Sequence, residues 1–195
     1  MSAVATKTKS GPSPRLEVPA APRQADGLSA ATDLLAHRDL WSTADCSVDR
    51  ALAVVGTRTA MLVLREAFYG TRRFQDFAQR VGMTDAVTAH RLQDLVRRGL
   101  LVKAPYRPEG GRTRLEYRLT PSGRDLLPAL LALMQWGDRW RTETGGPLEL
   151  THAGCGEPVG VEIRCANGHQ VPADRIRVAP SAAALAQTAA GPPES

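Results

Sequence analysis

Four residues near the C-terminus have the types and spacing of a metal site. His152 and Cys155 form an H-x2-C pair, and Cys165 and His169 form a C-x3-H pair. Imidazole nitrogens and thiolates are the ligands that Zn²⁺ takes in tetrahedral structural sites. Zinc ribbons usually carry C-x2-C twice, and that spacing never occurs in this chain. Two interpretations stay open: one Zn²⁺ bound at two adjacent turns, or a metal-free hairpin.

Motifs of catalysis are missing from the sequence. It contains no Gly-rich phosphate loop, no G-x-S-x-G and no H-E-x-x-H, and its four histidines are scattered. The His and Cys residues near the C-terminus lack a carboxylate at helical spacing that could act as a base. We therefore expect no enzymatic activity and no required cofactor.

Two short helical patterns follow one another between residues 73 and 98. Over 73–81, apolar residues recur at i, i+3, i+4 and i+7, and Gly82 ends the pattern. After a turn of about three residues, Thr84 suits an N-cap and Asp85 lies in the first turn, where the helix dipole favours negative charge. The second helix is predicted to run to Arg98, with Gly99 as its C-cap residue.

This second helix has a core face and a free face. Thr88, Leu92, Leu95 and Val96 fall on the side predicted to pack on the core. A strand is expected over 101–104, a turn over 108–111 and an alternating second strand over 115–119. That order indicates an α+β winged helix-turn-helix. The free face of the second helix carries Ala86, Val87, His90, Gln93, Asp94 and Arg97.

Positive charge is concentrated on this segment. Residues 58–118 hold twelve Arg and one Lys against six acidic residues, a net +7, whereas the whole chain has +5. Arginine suits phosphate and guanine, although a charge run can also be a solvated face and arginine can reflect a GC-rich genome. We expect contacts with double-stranded DNA rather than a protein-binding adaptor, which a neutral or acidic face would favour. The expected contact residues are Thr84, Asp85, Ala86, Val87, His90, Arg91, Arg72, Arg73, Arg97, Arg107, Arg112 and Arg114.

A series of short matches over residues 46–140 resembles the HxlR-type winged-helix transcriptional regulators, relatives of the MarR regulators. The matches include Val55-Gly56, 62–66, 70–74, Gly99-Leu100-Leu101, 116–120 and Gly123. The resemblance implies a homodimeric transcriptional regulator, expected to be a repressor of a pseudo-palindromic operator, with a small-molecule inducer as a further partner. Two departures stand out. Thr57-Arg58-Thr59 replaces the usual Gly-Lys-Trp, so an aromatic anchor is missing, and Thr88 replaces an aliphatic core residue.

Cys46 lies just before the first helix of this domain. A thiol at a helix N-terminus can react with oxidants or electrophiles, and the resemblance implies a redox- or aldehyde-sensing role. The alternative is a small, buried apolar residue. A thiol- or metal-dependent sensor therefore remains a second hypothesis for the chain.

The last helical pattern has apolar residues on several sides. Thr120-Pro121 is a favourable start, and Pro128 is expected to kink the helix or to mark a short first turn. A helix at the end of a small domain cannot bury so many sides on its own core, so a homodimer is expected, unless the following segment folds back over it. The predicted interface consists of Leu126, Leu127, Leu130, Leu131, Met134, Trp136 and Trp140.

The predicted organisation has four parts. Residues 1–44 form a mostly disordered arm with a short helix at 28–41, and 45–142 form the winged-helix domain with its C-terminal dimerisation helix. Residues 147–178 form a small β-rich, zinc-ribbon-like tail, and 179–195 are disordered. No apolar run of about 18 residues and no signal segment is present, which favours a cytoplasmic protein without a membrane span.

Overall fold

The computed structural model describes residues 29–30, 46–179 and 181, which fall into two compact units. One unit contains 29–30, 171–179 and 181, and the other contains 46–170. The elements in chain order are β1 (Ser29–Ala30), α1 (Ser47–Val55), α2 (Arg58–Phe68), α3 (Phe74–Val81), α4 (Asp85–Arg97), β2 (Leu101–Tyr106), β3 (Arg114–Leu119), α5 (Pro121–Arg124), α6 (Leu127–Trp140), a 3₁₀ turn (Ala173–Arg175) and β4 (Arg177–Val178).

The core of the larger unit forms where α2, α3, α4 and the β2–β3 hairpin meet. Leu64, Phe77, Leu92 and Leu95 are among its fully buried side chains. Phe77 meets Tyr117 of β3 edge to face, with ring centroids 6.2 Å apart. These contacts hold the helix-turn-helix on the wing.

The predicted helix-turn-helix is confirmed with small changes at its ends. Helix α3 ends at Gly82, which adopts a left-handed φ of 69°. Thr84 caps α4, its Oγ1 accepting from the backbone N–H of Val87 at 3.4 Å. After α4, Gly99 has a φ of 73°, a conformation that glycine adopts at little cost.

The wing is an antiparallel hairpin longer than the sequence predicted. Strands β2 and β3 pair from Leu101 with Leu119 to Tyr106 with Arg114, so β2 continues two residues beyond the expected 101–104. The backbone N–H of Tyr117 also donates to the carbonyl of Arg72 at 2.8 Å, which ties β3 to the turn before α3. The wing is therefore anchored to the helices at its base.

The last helical pattern is divided near Pro128 into a short first turn and a longer helix, which was one of the two expectations for this proline. Thr120 caps the four-residue α5 by accepting from the N–H of Gly123 at 3.0 Å, and α6 begins only at Leu127. Gly123 has a steric reason to be glycine, because a Cβ there would collide with the carbonyl of Leu100.

The segment after α6 differs in organisation from the predicted 147–178 unit. Residues 147–170 belong to the compact unit of the winged helix, and 171–178 belong to the other unit. Within 147–170 the regular pairing consists of two antiparallel bridges, Thr151 with Pro158 and Arg164 with Gln170. In the smaller unit, β1 and β4 pair in parallel.

The helix expected at 28–41 is wrong at Ser29–Ala30, where the chain forms strand β1. The remainder of that predicted helix and the predicted disordered ends, 1–26 and most of 179–195, lie outside the described residues. Across the described parts of the chain, no helix combines the length and apolar character needed to span a membrane.

Candidate nucleic-acid interface

The first half of α4 presents an exposed surface, as predicted. Thr84, Asp85, Ala86, Val87 and His90 are all exposed, and the apolar side chain of Val87 keeps 45% of its surface accessible. Thr88 lies on the opposite, buried side of the same helical turns. Its hydroxyl, in a fully buried side chain, donates to the carbonyl of Thr84 at 2.9 Å. The polar residue in an aliphatic position is thus satisfied within its own helix.

Arg91 points away from this exposed surface. Its Nε donates to Thr59 Oγ1 at 3.1 Å, its Nη1 lies 3.4 Å from Asp94 Oδ2, and only 18% of its side chain is accessible. A base contact by Arg91 would have to break both interactions. Direct readout by Arg91 stays a prediction, and its contacts favour a role in positioning α4 against α2.

Asp94 does not lie where the sequence predicted. The sequence placed it on the free face of α4, but it is buried and holds three arginines. Its carboxylate accepts from Arg97 Nη2 and Arg98 Nε, each at 3.0 Å, and from Arg91. Burial alone would raise the pKa of Asp94, but the guanidiniums of Arg98 and Arg97 lower it below its ordinary 3.8. The i−3, i+3 and i+4 spacing to arginine was the sequence signal for this cluster.

A second buried carboxylate ties the end of α2 to α3. Glu66 Oε1 accepts from Arg65 Nη2 at 2.8 Å, and its Oε2 accepts from the hydroxyl of Thr71 at 3.2 Å. Arg80 Nη1 in turn donates to Thr71 Oγ1 at 2.6 Å. This network, which the sequence analysis missed, fixes the turn from which the helix-turn-helix starts.

The arginines of the wing and of the turn before α3 form two groups, those whose side chains are bound within the domain and those whose side chains are free. Buried Glu116 accepts from Arg118 Nε at 2.6 Å and lies 3.7 Å from Arg72 Nη1, while the guanidinium of Arg73 stacks 5.3 Å from the Tyr106 ring. At the tip, Arg107 Nε donates to the carbonyl of Gly111 at 3.1 Å. Arg112 and Arg114 are exposed, and their side chains make no hydrogen bond or ion pair with any described residue.

Helix α6 divides the predicted dimer residues into two sets. Leu126 packs on the core, and Leu127, Leu130, Leu131 and Met134 line a cavity together with Leu150 and Val159 of the following segment. The following segment thus contacts this side of α6, as the fold-back alternative expected, but Leu127 and Val159 keep 37% and 39% of their surfaces accessible. On the other side Trp136 and Trp140 remain 56% and 63% exposed, and Leu133, absent from the predicted set, is 58% exposed.

The predicted zinc ligands lie on two similar turns. His152 Nδ1 and Cys155 Sγ are 3.2 Å apart, and in the second turn the backbone N–H of Cys165 donates to the carbonyl of His169 at 3.0 Å. Within the described residues, no three His, Cys, Asp or Glu side chains come together as a metal site. Zinc binding therefore stays a prediction.

Cys46 is exposed at the N-cap of α1, so the buried alternative for this residue is wrong. Its side chain makes no capping hydrogen bond. Sensing by this thiol stays a prediction.

The helix-turn-helix, the paired wing and the exposed basic surface define a winged helix-turn-helix protein. The model of the HxlR-like helix-turn-helix family matches residues 54–144. An HTH-type transcriptional regulator of Mycobacterium tuberculosis is 41% identical over 136 residues, which cover 69% of this chain and 85% of the relative. The chain therefore belongs to the HxlR family of helix-turn-helix transcriptional regulators.

Solved structures of two transcription-factor candidates are among those similar to this chain. The crystal structure of a candidate transcription factor, PA1607, has 33% identity and a TM-score of 0.64, covering 75% of this chain and 99% of its own. A second candidate transcription factor, PA1374 of Pseudomonas aeruginosa, has 31% identity and a TM-score of 0.51, covering 71% and 94%. Both likenesses extend over more of the chain than the family model matches.

Proposed function

We propose that this protein represses transcription by binding a pseudo-palindromic operator in double-stranded DNA as a homodimer. The observation that carries the proposal is the exposed surface at the N-terminal half of α4, which is formed by Asp85, Ala86, Val87 and His90. Residues at that end of a recognition helix reach base edges in the major groove. The free wing arginines Arg112 and Arg114 supply attraction to phosphate on either side of the bases.

The buried carboxylates support a division of labour among the arginines. Asp94 and Glu116 each hold arginines in place, so the side chains they bind are pre-oriented and partly neutralised. Free arginines at the wing tip keep their full charge. A protein-binding adaptor would have no need for unpaired cations flanking an exposed helix, so the charge favours DNA.

Unburied apolar faces support the homodimer. Neither α1 nor α6 has a buried residue, and Val48 and Leu52 of α1 are 65% and 56% exposed. Together with the exposed tryptophans of α6, they leave large apolar side chains accessible to a second chain. A two-fold pair of chains would present two α4 helices to half-sites about one helical turn, roughly 34 Å, apart.

The test is selection of duplexes from a random-sequence library with the full-length protein, followed by footprinting of the enriched site. The expected result is an inverted repeat protected over two successive major grooves. Selection of a direct repeat or of no sequence would refute the operator proposal. If the basic surface binds a protein ligand but no DNA duplex, the protein is better described as a protein-binding adaptor.

A further inference from the structure

An apolar cavity of about 260 Å³ lies between the end of α2, one side of α6 and the segment that follows α6. Phe68 and Tyr69 line it at the end of α2, Leu131 and Met134 line it on α6, and Leu150 and Val159 form its outer side. Tyr69 and Val159 are 38% and 39% exposed, so the cavity is open to solvent. Every lining side chain is aliphatic, aromatic or a thioether. The outer side comes from residues beyond 144, where the match to the family model ends.

The outer side of the cavity is clipped to α6 by one glutamine. Gln135 Nε2 donates to the carbonyl of Val159 at 2.8 Å, and its Oε1 accepts from the N–H of Val161 at 3.1 Å. The amide thus forms hydrogen bonds with the backbone of 159–161 in the way that a neighbouring strand would. This pairing holds Val159 over the cavity without filling it.

One polar group reaches the cavity. The hydroxyl of Tyr69 donates to Met134 Sδ at 3.6 Å, and a thioether is a weak acceptor. A ligand oxygen near the cavity would be a better acceptor for this hydroxyl. No charged side chain lines the space, so a charged ligand would lose its hydration without a partner.

We propose that this cavity binds a small, uncharged aromatic molecule of one or two rings that carries an oxygen substituent. The size fits, because a cavity of about 150 Å³ holds benzene, whereas drug-sized ligands need upwards of about 300 Å³. The ring contacts Phe68, Leu131 and Val159, and the oxygen accepts from Tyr69.

The cavity lies at one end of α2, and Thr59, which binds Arg91 of α4, lies near the other end. A ligand that moves the end of α2 therefore acts on the helix that holds the recognition helix. The idea that a ligand in this cavity regulates DNA binding rests on the proposed function. The idea that the cavity binds such a ligand does not depend on it.

The test is calorimetric titration of the full-length protein with 2-naphthol, with naphthalene-2-sulfonate as the charged comparison. We expect saturable binding of one 2-naphthol per chain and no binding of the sulfonate. Val159→Trp fills the cavity from its outer side and should weaken 2-naphthol by at least about ten-fold. The matched control, Ile163→Trp at an exposed position of the same segment outside the cavity, should change the affinity by less than about two-fold.

Two further variants keep the test decisive if Val159→Trp fails to fold by circular dichroism. Gln135→Ala releases the outer side and should weaken 2-naphthol by about three-fold or more, and Tyr69→Phe should weaken 2-naphthol but not naphthalene. Absence of saturable binding overturns the proposal. So does an affinity lost in Ile163→Trp, which would place the ligand outside the cavity.

Operator binding is measured separately, with and without 2-naphthol. A protein that binds 2-naphthol but no operator leaves the cavity proposal standing and removes the proposed function. A protein that binds operator but not 2-naphthol overturns the cavity proposal and leaves the proposed function standing.

Discussion

Arg91 of α4 donates from Nε to Oγ1 of Thr59 on α2, and the two atoms lie 3.1 Å apart. Thr59 occupies the place where the family resemblance led us to expect an aromatic anchor. The missing ring is thus replaced by a hydrogen bond from a charged donor, supported by Asp94 behind it. In this chain a polar contact docks the recognition helix on α2.

Removing this contact should loosen α4. Thr59→Val keeps the side-chain volume but loses the acceptor, and we expect it to lower the free energy of unfolding by about 1 kcal/mol. Arg91→Ala should do the same, and the double variant should cost less than the sum, because both changes remove one interaction. Urea denaturation measures all three. Thr113→Val in the exposed wing is the control, and strictly additive losses would contradict the coupling.

Asp94 should make stability depend on pH in a defined direction. Its pKa is lowered in the folded protein, so its contribution is full above about 3.8 and is lost as the pH falls through the lower folded value. We expect Asp94→Asn to cost about 1 to 2 kcal/mol at pH 7 and pH 5, and clearly less at pH 3. Urea unfolding at the three pH values tests this, with the exposed Glu109→Gln as control. A difference that does not depend on pH would argue against the arginine pairs.

His90 and Arg112 should affect DNA binding in different ways. His90→Ala should cost on the order of 1 to 3 kcal/mol on the selected operator and leave random duplex nearly unchanged. Arg112→Ala should weaken both and reduce the salt slope by about one. Fluorescence anisotropy over a salt series distinguishes the two. Equal proportional losses in both variants would show the assignment of roles to be incorrect.

The dimer should depend on the exposed side of α6. Leu133→Glu combined with Trp136→Glu should give a soluble monomer with weak operator binding, because two carboxylates would have to be buried at the interface. Light scattering at micromolar concentration measures the mass, and Arg139→Glu on the same helix serves as the control. A monomeric unmodified protein would end the homodimer proposal.

Zinc content is decided by elemental analysis of protein purified without chelator. If Zn²⁺ binds, we expect one ion per chain, lost in Cys155→Ser and Cys165→Ser but retained in Cys46→Ser. The ligands would have to move from the two separate turns toward a common centre. No stoichiometric metal in the unmodified protein would leave the segment as two bare turns.

Local pattern was sufficient to predict the helix-turn-helix, the wing and the break at Pro128. Caps, periodicity and glycine positions act over a few residues, so Thr84, Gly82 and Gly99 could be placed from neighbours alone. Which side chains of α4 are exposed was also predictable, except for Asp94 and Arg91. The helix at 28–41 was wrong at its start because Ser29–Ala30 takes a strand partner more than a hundred residues away, at Arg177–Val178.

Family, fold class and the concentration of positive charge are properties of the sequence by itself, because residue order determines periodicity and composition. Only the tertiary structure decided which arginines are held and which are free, since Asp94, Glu66 and Glu116 meet their partners through folding as well as through spacing. It also decided that one side of α6 faces Leu150 and Val159 while Trp136 and Trp140 stay exposed. Burial depends on contacts between residues distant in the chain, and a hydrophobic pattern does not say which surface will cover it.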